Sequence, residues 1–382
     1  MPPASKLPHV GTTIFTVMSQ LATEVGAVNL GQGFPDFAPP AALQEALRRA
    51  MAEGRHQYAP MPGIAPLREA VAAEAAREHG TPCDPEQEVT VTAGGSEAIF
   101  DAVMAVITPG DEVIVLDPAY DLYEPVVALA GGWTVRVPLD PTTFAIDWDR
   151  VAAAVTPRTR LVIVNSPHNP TGAVWSATDA ARLAAFVEAH DLLVIADEVY
   201  APLVFDGRPH VSALAHPALR ARAFVVTSFG KRYHCTGWRL GAVIAPPALT
   251  AELRKVHQYN TFSAFTPAQW AVAELLRDDA GHTAGLAAFF QAKRDRFAAG
   301  LRTTRFRPLP VAGAYFQCVD YSGVSDLPDV AFARWLCTEH GVASIPLSPF
   351  YGTPPAGQRL VRLCFAKEDV TLDVALARLA AV

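Results

Sequence analysis

The 382-residue chain lacks the features that tie a protein to a membrane, a nucleic acid or an oxidising compartment. It has no apolar run of about 18 residues that could span a bilayer. The opening MPPASKLPHVG does not have the basic-then-apolar order of a secretory leader. Basic residues number 31 against 38 acidic, a formal charge of −7, and they are scattered, so there is no footprint for phosphate backbones or anionic lipid. The five cysteines, Cys83, Cys235, Cys318, Cys337 and Cys364, are odd in number and form no CxxC pair, which argues against a disulfide framework and a zinc site. No GxGxxG follows a strand, so the dinucleotide fingerprint is absent too. These absences lead us to expect a cytoplasmic protein with no metal, nucleic acid or membrane partner.

What is present suits a large globular α/β protein. Hydrophobic residues make up 51% and charged residues 18%, and the length calls for a large domain plus a smaller one. From residue 89 onward, short β-branched runs alternate with amphipathic stretches, the pattern of a mostly parallel sheet sandwiched by helices. The runs are VTVT (89–92), EVIVLD (112–117), RLVIVN (160–165), LLVIAD (192–197), AFVVTS (223–228) and GAVIA (241–245). Most lack a polar face, as buried parallel strands do. Helices are expected over 41–53 and 64–79 before this core, and near 248–258, 268–278 and 284–301 after it. Beyond about 305, short strands and helices near 328–341 and 369–381 indicate a smaller α+β domain. The expected organisation is an N-terminal arm and part of the small domain over 1–40, a large domain over 41–290 and the small C-terminal domain over 291–382, so that the small α+β domain is made from both chain ends.

In open parallel sheets ligands bind beyond the carboxyl ends of the strands, so the residues just after each run carry the interest. Gly94-Gly95-Ser96 joins a strand to a helix, where free N–H groups and the helix dipole favour an anion, although an ordinary glycine turn capped by Ser96 reads equally well. Asp197 ends the most apolar run, where a buried carboxylate calls for a cation. Tyr200, three residues on, could share that crevice. Lys231 leaves its strand through Ser228-Phe229-Gly230, beside apolar Phe229 and Tyr233, a setting that can desolvate an amine into a nucleophile. Arg239 precedes a strand and could grip the anion at Gly95 and Ser96. Asn169-Pro170-Thr171-Gly172 is first a turn, but it offers an amide at a strand end. Arg362 stands in the apolar strand VRLCFA and needs a carboxylate from the protein or from a substrate.

Taken in order, GGSEA, PAY, NSPHNPTG, DEVY, SFGKRYHCTGWRLG and VRLCFA resemble the class I and II aminotransferases, of fold type I among pyridoxal 5'-phosphate (PLP) enzymes, over nearly the whole chain. GQGFPDF, HQYAPMPGIAPLREAV, KVHQYNTFSAFTPAQ, GAYF and EHGVASIPLSPF are similar to the branch holding methionine aminotransferases and kynurenine/glutamine transaminases. The resemblance implies a PLP-dependent transferase working by two half-reactions of ping-pong type. It implies that Lys231 is the Schiff-base lysine, that Asp197 keeps the ring nitrogen protonated and that Tyr120 stacks on the ring. Tyr200 and Asn169 match the groups on its phenolic oxygen. Gly95, Ser96, Glu97, Ser228 and Arg239 match the phosphate cup, with Tyr58 reaching it from a second subunit of a homodimer. Arg362, helped by Asn169 and the backbone of Gly33, matches the grip on the substrate's α-carboxylate.

No second arginine is evident for a side-chain carboxylate, and an apolar, aromatic lining is expected from Phe15, Phe34, Tyr58, Tyr120, Phe262, Tyr315 and Phe350. That lining suits methionine, phenylalanine, kynurenine or glutamine as donor to a 2-oxo acid. The alternatives are cysteine-conjugate β-elimination at the same site and, from another class, a PLP-binding sensory domain without turnover.

Overall fold

The apolar runs assemble into one seven-stranded sheet in a computed structural model that describes residues 4–278 and 280–382. Before the sheet come helix α1 (Ile14–Val25), strand β1 (Val28–Asn29) and helices α2 (Ala41–Ala52) and α3 (Ala65–His79). Helix α1 is not among the expected helices, yet its ends are coded. The Thr13 hydroxyl accepts from the Thr16 N–H at one end, and Gly26 closes the other at φ 66°.

The sheet region runs β2 (Val89–Thr92), α4 (Gly95–Val106), β3 (Glu112–Asp117), α5 (Tyr123–Leu129), β4 (Trp133–Pro138), α6 (Trp148–Ala153), β5 (Thr159–Asn165), α7 (Ala177–Ala189), β6 (Leu193–Asp197), α8 (Pro217–Arg220), β7 (Ala223–Ser228), α9 (Phe229–Arg232) and β8 (Gly241–Ile244). The strand order is β2-β8-β7-β6-β5-β3-β4. The expected runs all form strands, within a residue or so at their ends. Strand β4, absent from the sequence reading, is the polar edge of the sheet beside β3, half-exposed along its length and interrupted by Arg136.

Alternate residues of the buried strands feed the two faces of the sheet. Val113, Val115, Ile163, Ile195, Phe224 and Val226 pack with Ile99 and Val103 of α4. Ile114, Val162, Val164, Val194, Ala196 and Val225 pack on the other side with Leu183 and Val187 of α7.

Strand β8 alone runs against the rest, antiparallel to both β7 and β2, a reversal not anticipated from its apolar run. The reason is the short link: Ser228 and Gly241 are separated by one turn of α9 and a 3-10 turn, too little for a crossover helix. The reversal matters for the site. It places the start of β8 on the edge where the other strands finish, with Gly241 in register with both Ser228 and Thr92.

Helices α10 (Pro247–Asn260), α11 (Thr266–Asp278) and α12 (Ala280–Leu301) follow. The remainder is β9 (Arg307–Pro308), β10 (Phe316–Asp320), α13 (Asp329–His340), β11 (Val342–Ala343), β12 (Ile345–Pro346), β13 (Leu360–Cys364) and α14 (Asp369–Ala380). Four of these strands make an antiparallel sheet ordered β12-β13-β10-β9, while β11 pairs in parallel with β1, Val28 opposite Val342. The two chain ends therefore meet. No helix among the described residues is long and apolar enough to cross a membrane, and all five cysteines are free.

Candidate active site

A cavity of about 600 Å³ opens at the carboxyl edge of the large sheet, and most of the singled-out residues stand on its wall. Gly95 and Ser96 come from the start of α4, Tyr120 follows β3, and Asn169 follows β5. Asp197 ends β6, with Tyr200 just beyond; Ser228 ends β7, Lys231 lies on α9, and Arg239 precedes β8. Gly33, Phe34 and Phe15 from the N-terminal segment and Arg362 from β13 close the opposite side.

Asp197 is buried among apolar strands, and that burial pushes its carboxyl up to about 6, against the lowering effect of hydrogen bonds from Tyr123 and from the Val199 N–H. The Tyr123 hydroxyl donates to Oδ2 of Asp197 at 2.6 Å. Lys231 Nζ donates to the Gly33 carbonyl at 3.2 Å and lies 5.4 Å from the Tyr200 ring and 5.7 Å from the Tyr315 ring. Burial, with the charges of Arg362 and Arg239 nearby, pulls its ammonium down to about 8, toward the neutral amine a nucleophile requires.

Arg362 is 1% exposed. Its Nη1 donates to Asn169 Oδ1 at 2.7 Å and its Nη2 to the Gly31 carbonyl at 2.8 Å, while Nε has no partner. The guanidinium lies 4.1 Å from the Phe316 ring and 5.0 Å from the Phe15 ring. A buried cation with an orphan donor is costly until an anion reaches it.

At the start of α4 the cap is Gly94, not Ser96, with φ 88° and no side-chain hydrogen bond, so the first N–H groups of the helix stay available. A Cβ on Gly94 would stand 2.9 Å from Arg239 Nη2. Glycine is thus what lets the guanidinium close over the turn. Arg239 itself sits at φ 53° and donates to the Thr236 carbonyl at 3.1 Å.

The described site fits PLP on its own chemistry. A helix N-terminus with Arg239 offers a dianion cradle, a buried carboxylate short of a cation suits a protonated ring nitrogen, and a desolvated lysine lies between them.

Five expected residues, Glu97, Tyr58, Phe262, Tyr315 and Phe350, lie off the wall. Glu97 turns away from the cavity; its carboxylate accepts from the Ala93 N–H and meets His257 Nδ1 at 2.7 Å. One residue past Ser96, the helix has rotated about 100°, onto the face packed against α10. Burial opposes charge on His257, but its bonds to Asp101 and Glu97 hold it up at about 9, and its Nε2 bonds the Met61 carbonyl. Tyr315 is fully buried behind the wall and donates to the Gly33 carbonyl at 2.7 Å. Tyr58 is 83% exposed, edge-on to Phe262 at 5.5 Å, and away from its own chain's cavity. Phe350, from the expected aromatic lining, is buried behind Phe15.

Thr13, Gln32, Asp121, Asn165 and Phe316 also line the cavity, and Tyr123 supports it from behind; the sequence reading named none of them for the site. Only Asn165 and Asp121 had a visible signal, as polar residues at or just past a strand end. His168 is buried against the Thr171 hydroxyl at 2.7 Å, and burial holds its imidazole down at about 4, so it stays neutral.

Residues 25–379 match the family model for aminotransferase class I and II. The chain belongs to that family. It is accordingly a PLP-dependent aminotransferase of fold type I. It is 51% identical to methionine aminotransferase of Escherichia coli K12, over 99% of this chain and 97% of that one. A solved structure of the E. coli protein covers both chains fully, with a TM-score of 0.97. The probable N-succinyldiaminopimelate aminotransferase of Mycobacterium tuberculosis is 45% identical, over 98% of this chain and 97% of that one. Mouse kynurenine–oxoglutarate transaminase 1 is 34% identical, over 98% and 96%.

Proposed function

We propose that this aminotransferase moves the amino group of an uncharged donor, of the methionine, glutamine, kynurenine or phenylalanine type, to a 2-oxo acid in two ping-pong half-reactions. The observation that carries the reading is the cavity's set of cations: Lys231, Arg239 and Arg362, and no other, on the described wall. Each has a task. Arg239, with the N–H groups at Gly95 and Ser96 and the Ser228 hydroxyl, takes the phosphate. Arg362 takes the donor's α-carboxylate, using its unpartnered Nε, with Asn169 and Gly33 beside it. Lys231 holds the cofactor covalently between turnovers. No cation remains for a side-chain carboxylate.

When bound, PLP supplies the electron-withdrawing ring that stabilises negative charge at the donor's Cα. Asp197 holds a proton on the ring nitrogen, and its raised pKa suits it to share one there. Tyr120 covers a ring face, while Tyr200 and Asn169 address the phenolic oxygen. Arg362 would fix the donor by its α-carboxylate with the Cα–H turned toward Lys231, whose freed Nζ would accept the proton that leaves Cα and give it back on the far side of the amino nitrogen. The outward-facing group of Tyr58, Tyr259, Phe262 and Phe265, all exposed, supports a homodimer in which Tyr58 completes a neighbour's phosphate site.

The test is a donor scan of the purified enzyme with methionine, glutamine, kynurenine, phenylalanine and aspartate, plus borohydride trapping of the cofactor. We expect an uncharged donor to lead and trapped label on Lys231; aspartate as best donor, or normal turnover by Lys231→Ala, refutes the reading. Pyruvate and ammonia formed from a cysteine conjugate without an oxo acid would assign the β-elimination instead.

A further inference from the structure

One carboxylate on the cavity wall has no task in the scheme above. Asp121 follows the ring-facing Tyr120 and lines the same cavity as Phe15, Gln32, Leu122 and Arg362. It is half-buried, and among the described residues no ion pair is made to its carboxylate. Burial pushes its pKa up and the Arg362 charge draws it back down, which puts the carboxyl group within the field of the guanidinium.

The charges of the site therefore do not cancel evenly. Arg239 and Arg362 face anions brought by cofactor and substrate, and Asp197 faces the ring nitrogen. Asp121 is left over on the cavity wall, next to Tyr120 in the chain and sharing the lining with Phe15, Phe34 and Leu122. In a partly desolvated pocket, like charges at close range cost far more than in water, so an unpaired wall carboxylate selects by repulsion as well as by attraction.

We infer that Asp121 is a specificity-determining residue of this cavity: its carboxylate excludes substrates with a side-chain carboxylate and favours uncharged side chains that end in an N–H donor, such as a carboxamide or an arylamine. The inference rests on the reading that Arg362 holds the α-carboxylate, and it adds a repulsive element to a pocket otherwise defined by what it lacks. Asp121 touches neither the reacting Cα nor Lys231 in this scheme. It acts on the far end of the substrate.

The experiment uses the PLP-loaded enzyme and Asp121→Asn, which keeps shape and removes charge. Two unreactive ligands, valerate and glutarate, are titrated through the cofactor's absorbance, and kcat/KM is measured for glutamine, methionine and glutamate. The wild type should bind valerate at least about tenfold tighter than glutarate, and the variant should narrow that gap to about threefold by binding glutarate better. Glutamine should lose about tenfold in kcat/KM relative to methionine, since its amide loses an anionic acceptor. An unchanged ligand ratio overturns the inference, as does a parallel loss for every ligand, which a merely structural role would produce. Should the asparagine variant not retain cofactor, Asp121→Ala gives the same ratios, and tighter glutarate than valerate in the wild type overturns the inference without any variant. Failure of the underlying reading looks different: Arg362→Lys would then bind valerate as well as the wild type does.

Discussion

The phenol of Tyr123 donates to Oδ2 of Asp197 at 2.6 Å, and both groups are buried. That bond is the carboxylate's strongest support in an apolar setting that pushes its pKa up to about 6. Tyr123→Phe removes the donor without changing the packing shape. A hydrogen bond to a charged group is worth about 1.5–3 kcal/mol, so PLP affinity should fall by about ten- to a hundredfold if Asp197 must be ionised to hold the ring. Fluorescence titration of cofactor-free enzyme measures this directly, and an unchanged Kd would show that the phenol is dispensable.

The same carboxylate sets a pH dependence. Its folded pKa of about 6 lies above the ordinary aspartate value of 3.8, so between these pH values the folded state binds a proton that the unfolded state has released. Stability therefore falls as pH rises through this window, by up to about 3 kcal/mol from this one group. Cofactor-free Asp197→Asn should lack this part of the slope. Comparing denaturant midpoints of the two proteins from pH 4 to 7 checks both sign and size.

Arg362 makes two directed bonds, to Asn169 Oδ1 and the Gly31 carbonyl, and lies against Phe316. A lysine keeps the charge but cannot reproduce the planar fork. Arg362→Lys should lower kcat/KM by at least about a hundredfold for every donor, carried mainly by KM, because the lost grip on the α-carboxylate is common to all of them. Steady-state kinetics with methionine and phenylalanine test this, and a loss confined to one donor would count against the assigned grip.

Gly94 combines φ 88° with the Arg239 guanidinium 2.9 Å from where a Cβ would be. Gly94→Ala must both strain the turn and displace Arg239. PLP should bind at least about tenfold more weakly, with little change in KM for the donor once cofactor is saturating. Titration with PLP and with inorganic phosphate separates the two effects, since phosphate binding should weaken in parallel.

The parts of this fold that the sequence made legible are those whose physics is local. Strands β3, β5 and β6 are buried on both faces and read as continuous apolar runs, α2 carries a helical periodicity and α3 stops at Gly80, so their limits came out within a residue or two. Strand β4 was missed because an edge strand carries Trp133 toward solvent and holds the charged Arg136 against Asp117, and so loses the apolar signature. In the site, Lys231, Asp197 and Arg362 were legible as polar groups in apolar strands or at their ends. The direction of the Glu97 side chain was not legible, because its motif gives a neighbourhood but not a direction, and one residue of helical rotation decides which wall a side chain faces. Tyr123 was not legible at all. Its partner is 74 residues away, and only the fold brings them together.

The bond from Arg362 to the Gly31 carbonyl joins residues 331 positions apart. A ribosome makes Gly31 among the first residues and Arg362 among the last. During synthesis the phosphate cradle and Lys231 can be in place while the substrate grip does not yet exist, so a nascent or C-terminally clipped chain could capture its cofactor and remain unable to use it.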